Sequence, residues 1–266
     1  MVNFAEIGDG VPVLALHGWT ADHRLMSGCL EPVFTGRGGY RRLYPDLPGM
    51  GRSPAPPAIT SSDDLLAAVH DFIDKTIGDQ PFLVIGESYG GYLSRAVTRD
   101  RAAQVLGLAL ICPIGTIVDR SRRTLPAKRV LRPDPAGAAG LDERTAEAFT
   151  EMAVVQSPSA AARFRDEIMP GLDLADMSAI ARIEQRWELS SPPESGAPFP
   201  RPTLILTGRQ DHCVGFVDQF ALLPHYPRAT FAVLDIAGHN LQLDQPAMFD
   251  TLMGDWLDRA ADPSEP

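Results

Sequence analysis

The residue best placed to do chemistry in this chain is a serine between glycines, in Gly86-Glu87-Ser88-Tyr89-Gly90. An apolar run, Pro81 to Ile85, precedes it, and a stretch with apolar positions at helical spacing, Tyr92 to Arg99, follows. A serine at such a strand–turn–helix junction is held strained and exposed, so that its hydroxyl can attack a carbonyl. The flanking glycines let strand and helix approach where a Cβ would collide. The plainer alternative is a turn serine that only caps the helix. The run Phe82-Leu83-Val84-Ile85 directly before the turn favours the nucleophile.

A serine hydroxyl attacks poorly at neutral pH. It needs a base to take its proton and an anion to orient that base. On an α/β sheet such groups belong at the carboxyl ends of strands. His239, in Ala237-Gly238-His239-Asn240 after the strand-like Thr230 to Leu234, is the candidate base. Asp211, in Gly208-Arg209-Gln210-Asp211-His212 after Leu204 to Thr207, is the candidate acid. His17 ends a strand but precedes a glycine suited to another role. His23, His70 and His225 fall in helical contexts that read as solvated, and His212 adjoins the acid. Asp235 rivals Asp211 but precedes the loop that would hold the base, and Asp218 lies too far into the next helix. The oxyanion formed by attack needs donors set in advance. The N–H of Tyr89, after the nucleophile, is one. The N–H of Trp19, in His17-Gly18-Trp19-Thr20 after the first apolar strand, is the other.

The elements that would position these groups alternate along the chain. Val11–Leu16, Arg41–Pro45, Pro81–Ile85, Val105–Ile111, Pro202–Thr207 and Thr230–Leu234 read as strands. Helices are expected over Asp22–Phe34, from Ser61 or Ser62 to Ile77, and over Asn240–Ala260. Near-continuous apolar strands separated by helices indicate an α/β fold, a mostly parallel sheet with helices on both faces. From Gly115 to Phe199 the strand signal stops. Helices are expected there over Asp142–Val155, Ser159–Met169 and Leu174–Leu189, and a Pro-rich return over Ser190–Arg201. The domain reading is therefore a core of residues 1–114 and 200–266 with a helical insertion at 115–199.

The net charge of −10 argues against nucleic acid or an anionic membrane as the main partner and says little about a small substrate; the small-molecule substrate expected here follows from the serine chemistry instead. Cys29, Cys112 and Cys213 are distant, odd in number and without a C-x-x-C pair, which suggests neither a disulfide framework nor a zinc site. Cys112 and Cys213 read as packing thiols. The first residues carry no signal-peptide pattern and no apolar run has spanning length, so the expected location is cytoplasmic. The chemistry assembled above requires neither metal nor cofactor.

Four segments, in order, resemble the α/β-hydrolase superfamily: His17-Gly18-Trp19, Asp46-Leu47-Pro48-Gly49-Met50-Gly51-Arg52-Ser53, the Gly86 to Gly91 turn, and Gly208-Arg209-Gln210-Asp211 with Gly238-His239. The resemblance runs over nearly the whole chain. It implies a helical cap (lid) over the sheet at 115–199, and an N-terminus short enough to lack the first strand of that family's sheet. It implies a serine hydrolase that cleaves a carboxylic ester or lactone through an acyl-enzyme on Ser88. The serine separates the chain from similar dehalogenases and epoxide hydrolases, which carry aspartate there. Proline iminopeptidases stay open, because Trp187-Glu188 resembles their cap Trp-Glu, although His-Gly-Gly-Pro-Gly is replaced by His17-Gly18-Trp19-Thr20-Ala21. Carbon–carbon bond hydrolases stay open too, although Asn240 stands where they usually have tryptophan. A non-catalytic small-molecule receptor is the reading outside enzymes. Trp19, Tyr89 and Trp187 are the substrate-contact candidates. Phe149, Met152, Phe164, Met169 and Met177 could line a pocket, or pack the insertion itself.

Overall fold

A computed structural model describes residues 2–262. Seven strands form one sheet in the order β1-β3-β2-β4-β5-β6-β7. They are β1 (Phe4–Ile7), β2 (Val11–Leu16), β3 (Tyr40–Pro45), β4 (Phe82–Glu87), β5 (Val105–Ile111), β6 (Thr203–Gly208) and β7 (Ala229–Leu234). All neighbours run parallel except β1, which pairs antiparallel with β3 along the edge. β4 and β6 are buried at every position, as parallel strands covered on both faces must be. Strand β1 carries no sequence signal: its pattern in Phe-Ala-Glu-Ile is short, and three of its four residues are exposed.

Helices cover the sheet. α1 (His23–Phe34) starts on Asp22, whose carboxylate accepts from the Arg24 N–H. α2 (Ser62–Thr76) starts on Ser61, which accepts from the Asp64 N–H, while Asp64 reaches back to the Ser61 hydroxyl and the Thr60 N–H. Such reciprocal caps satisfy donors that a helix start leaves unpaired. α3 (Ser88–Asp100) leaves β4 without a connecting loop.

Between β5 and β6 the chain leaves the sheet. It forms α4 (Glu143–Met152), capped by Asp142, then α5 (Pro158–Arg163) and α6 (Met169–Leu174), joined by a widened turn at Phe164–Ile168, and then α7 (Met177–Glu184). The helix expected over Leu174–Leu189 is shorter at both ends. Asp176 caps α7 by accepting from the Ser178 and Ala179 N–H groups, so α6 ends before it, and residues after Glu184 turn away. The helix expected over Asn240–Ala260 is two, α8 (Leu241–Asp244) and α9 (Pro246–Ala261), because Pro246 cannot continue the backbone ladder of α8. Trp256, fully buried in α9, donates its indole N–H to the Pro202 carbonyl at 3.1 Å and locks this helix onto the sheet.

No described helix is long and apolar enough to cross a membrane.

Candidate active site

The carboxyl ends of β2, β4 and β5 share an unusual feature. Thr20, Ser88 and Cys112 just beyond them adopt φ of 63°, 53° and 41°. A left-handed backbone in a non-glycine residue costs on the order of 1–3 kcal/mol and persists where surroundings enforce it. At Ser88 the enforcement is visible. A Cβ on Gly90 would come within 2.3 Å of the Leu16 carbonyl oxygen, and one on Gly86 within 2.5 Å of the Gly90 oxygen. The glycines thus let α3 press against β2 and β4, and the tight junction raises Ser88 above the strand ends.

Three distant side chains meet there. Ser88 Oγ lies 3.0 Å from His239 Nε2, and His239 Nδ1 lies 2.9 Å from Asp211 Oδ2. Asp211 is fully buried, and its other oxygen accepts from the Cys213 and Val214 N–H groups at 2.8 and 2.9 Å. Burial opposes its charge, but the imidazole and these donors hold it below the usual carboxylate value. His239 is pushed down by burial and up by Asp211 and Glu87; the carboxylates win, and its pKa rises to about 9. Asp235 plays no part in this line. It is exposed and accepts from the Gln210 amide at 2.9 Å.

The loop after β2 is fixed by His17. Its Nε2 accepts from the Leu47 N–H at 2.9 Å and its Nδ1 bonds the Gly18 carbonyl at 2.7 Å. Burial lowers its pKa, which suits a neutral ring that accepts on one nitrogen and donates on the other. Thr20 donates its hydroxyl to the Trp19 carbonyl at 2.6 Å. Behind this loop Asp46 accepts from the His23 N–H, the Arg52 N–H and the Asn3 amide at 2.7–2.9 Å, and meets the His23 ring at 2.8 Å. His23 is therefore anchored rather than solvated. Asp22, His23 and Asp46 bring potential metal ligands within 4.8 Å of one another, but Asp22 binds Arg24 and Asp46 is filled by four donors, which reads as a knot tying α1 to the β3 loop.

A cavity of about 1110 Å³ opens over Ser88. Trp19, Tyr89 and Trp187 border it, and their rings pack at 4.5–4.8 Å between centroids. Tyr89 is fully buried, so its ring is covered by the two tryptophans. Trp187 lies past the end of α7 rather than within a helix. Met152 and Phe164 also border the cavity; Phe149 and Met169 are buried in the insertion, and Met177 is exposed on its outside. Cys213, read from sequence as packing, borders the cavity too. Sequence reasoning gave no role to Glu87 or Arg123, and weighed Asn240 only as the residue that follows the candidate base. Asn240 is buried beside His239 at the cavity wall; Arg123 there gives its donors to the Ile117, Val118 and Cys213 carbonyls.

Segment 186–190 of this wall is bonded to the core. Ser62 donates its N–H to the Arg186 carbonyl and its hydroxyl to the Trp187 carbonyl, while Tyr89 donates its phenol to the Ser62 oxygen at 2.7 Å. The Leu189 N–H donates to the Tyr92 hydroxyl, and Ser190 donates to Asp63. The Trp19 indole reaches Glu184 Oε1 at 3.1 Å.

The chain is similar along nearly its whole length to known proteins. It is 28% identical to an alpha/beta superfamily hydrolase from Oenococcus oeni PSU-1, whose crystal structure superposes with a TM-score of 0.92, covering 98% of this chain and 97% of that one. It is 26% identical to the pimeloyl-[acyl-carrier protein] methyl ester esterase of Shewanella woodyi, over 97% of this chain and 98% of that one. It is 25% identical to the 2-hydroxymuconate semialdehyde hydrolase of Pseudomonas sp. (strain CF600), over 97% of this chain and 90% of that one. Residues 13–250 match the model of the "Alpha/beta hydrolase family", and with that match spanning most of its length the chain belongs to this family.

Proposed function

We propose that the protein is a serine hydrolase that cleaves a carboxylic ester or lactone of a small molecule. The observation that carries this reading is the unbroken line Ser88–His239–Asp211, with links of 3.0 and 2.9 Å, opening on the large cavity. Its chemistry follows from the geometry. Neutral His239 accepts the Ser88 hydroxyl proton at Nε2 as the oxygen attacks the carbonyl carbon. Asp211 accepts the Nδ1–H, fixes the tautomer and stabilises the imidazolium. The oxyanion is met by the N–H groups of Trp19 and Tyr89, the latter in the first turn of α3 where backbone donors have no partner within the helix. His239 passes its proton to the leaving alcohol, the acyl group stays on Ser88, and water activated by the same imidazole releases the acid. Residues 115–199 act as the cap that shapes the substrate. The esterase from Shewanella woodyi supports the ester reading from the side of similarity. A reducing cytoplasm suits three thiols that are all unpaired among the described residues.

A second reading, carbon–carbon bond hydrolysis, draws support from similarities such as that to the 2-hydroxymuconate semialdehyde hydrolase. Asn240 beside the base is the residue that sets this chain apart from the tryptophan usual in carbon–carbon bond hydrolases. One panel separates the readings. Aryl esters, lactones, prolyl amides and a dienoic keto acid are offered to the wild type and to Ser88→Ala. Ester or lactone turnover that disappears in Ser88→Ala is expected. Turnover of the keto acid alone would transfer the chemistry to carbon–carbon cleavage. Undiminished ester turnover in Ser88→Ala would remove the serine from the mechanism.

A further inference from the structure

The residue before the nucleophile is an acid, and nothing in a serine, imidazole and carboxylate line calls for one there. Glu87 is only 3% exposed. A buried carboxylate is costly unless paired. Among the described residues its ion-pair partner is the catalytic imidazole: Oε1 lies 3.4 Å from His239 Nε2, the nitrogen that faces Ser88 Oγ at 3.0 Å. Its other oxygen lies over Gly18, where a Cβ would come within 2.1 Å of Oε2, and the Gly18 N–H lies against the carboxylate. Glu87 also borders the cavity.

We propose that Glu87 is a positioning residue acting through His239: its carboxylate competes with Ser88 for the Nε2 proton and moves the working range of the enzyme to higher pH than Asp211 alone would set. The inference rests on the reading of His239 as general base. The physical reason is simple. Neutral His239 presents a lone pair at Nε2, and an anionic oxygen beside a lone pair repels it. Imidazolium presents N–H there, and the same oxygen attracts it. An ionised Glu87 therefore favours the resting imidazolium, which cannot accept the serine proton. Attack requires that this proton leave Nε2, either to solvent or to the Glu87 carboxylate, whose protonated form leaves the lone pair free for the serine.

The neighbouring groups do not supply this effect. Asp211 faces Nδ1, on the opposite side of the ring. Arg123, from the chain after β5, and His212, beside Asp211, oppose a positive imidazole. The Cys29, Cys112 and Cys213 thiols, from α1, the residue after β5 and the loop after β6, are raised by burial and stay neutral through the physiological range. Asp244, on α8, is raised by burial to about 6, but its carboxylate is held by the Gly238 and Val155 N–H groups. Glu87 itself is raised by burial to about 7, below the imidazole it faces at about 9, so it is ionised over the range in which His239 loses its proton.

The test is the pH profile of kcat/KM for 4-nitrophenyl acetate, with Glu87→Gln and Ser88→Ala beside the wild type. Relative to its own plateau, Glu87→Gln should reach half-activity about one pH unit or more lower than wild type, since removing one facing charge at this distance shifts a buried imidazole by that order. An acid limb in the same place would overturn the proposal. A merely structural Glu87 would lower the plateau and leave the limb unmoved. Should Glu87→Gln not fold, ¹⁵N NMR of the His239 ring in the wild-type chain decides: coupling to a carboxylate requires two inflections, and a single one refutes it. Failure of the hydrolase reading is separate. It appears as turnover that survives Ser88→Ala, or as no turnover by wild type, and the ring titration remains readable in either case.

Discussion

At the scale of single residues, the three groups of the candidate triad were legible because each closes a strand. Ser88, Asp211 and His239 follow apolar runs, and strand ends converge on one edge of a parallel sheet. Their roles yield graded losses. Ser88→Ala and His239→Ala should each lower kcat by roughly 10⁴-fold or more, and Asp211→Asn, which keeps the shape but disturbs the tautomer, by roughly 10³–10⁴-fold. Steady-state ester hydrolysis with active-site titration checks this; a loss below tenfold for any of them would displace that residue. Glu87 was not legible. The position between glycine and nucleophile accepts many residues, and the groups its carboxylate meets, the His239 ring and the bare Cα of Gly18, are far away in sequence. Gly18→Ala should therefore damage the site at two points, since the new methyl would press on Glu87 Oε2 at 2.1 Å and on Ser88 Cβ at 3.3 Å. A fall in kcat with little change in urea midpoint is the expected signature.

Among elements, those with strong apolar pattern matched expectation, as did the capped starts of α1 and α2 and the edge strand β7; the departures are β1, the limits of α7 and the split of the last helix. β2, β4, β5 and β6 read directly from sequence. β1 is too short and too exposed to carry a signal. The limits of α7 depend on the Asp176 cap, and the split between α8 and α9 on Pro246. The junction of β4 and α3 is the most demanding contact. Gly90→Ala would push a methyl into the Leu16 and His17 carbonyl oxygens at 2.3 and 2.4 Å, backbone atoms that cannot step aside. Its cost should lie at or above the usual overpacking range of about 1–3 kcal/mol, read as a lower urea midpoint at unchanged m. Ser62→Ala tests the join between α2 and the aromatic wall. It leaves the buried Tyr89 hydroxyl without its acceptor and the Trp187 carbonyl without that donor. A loss of about 1–3 kcal/mol in stability is expected, with KM rising more than kcat falls.

For the whole molecule, pH acts on stability through the same groups. Glu87 and His239 both have folded pKa values above their ordinary ones, at about 7 and about 9. Each therefore contributes stability that is full below its unfolded pKa and is lost as pH rises through the folded value. Asp211, lowered, contributes stability that is present above its unfolded pKa and is lost as pH falls through the folded one. Urea midpoints should thus decline from about pH 5 towards pH 9, and Glu87→Gln should flatten the part of the decline below about pH 7; an unchanged slope there would count against a buried, proton-holding Glu87. Cysteine accessibility offers an independent view of the folded chain. Cys29 and Cys112 are buried and Cys213 borders the cavity. Iodoacetamide should label Cys213 alone, and slowly, until the chain unfolds, as peptide mass mapping would reveal. The bonding of residues 186–190 has an implication for recombination between relatives. By chain order this stretch accompanies the helices over the sheet, yet its hydrogen bonds attach it to α2 and α3. A chimera that exchanges residues 115–185 would acquire a foreign entrance and keep the native tryptophan wall, whereas a crossover placed beyond Ser190 would sever that wall from its moorings.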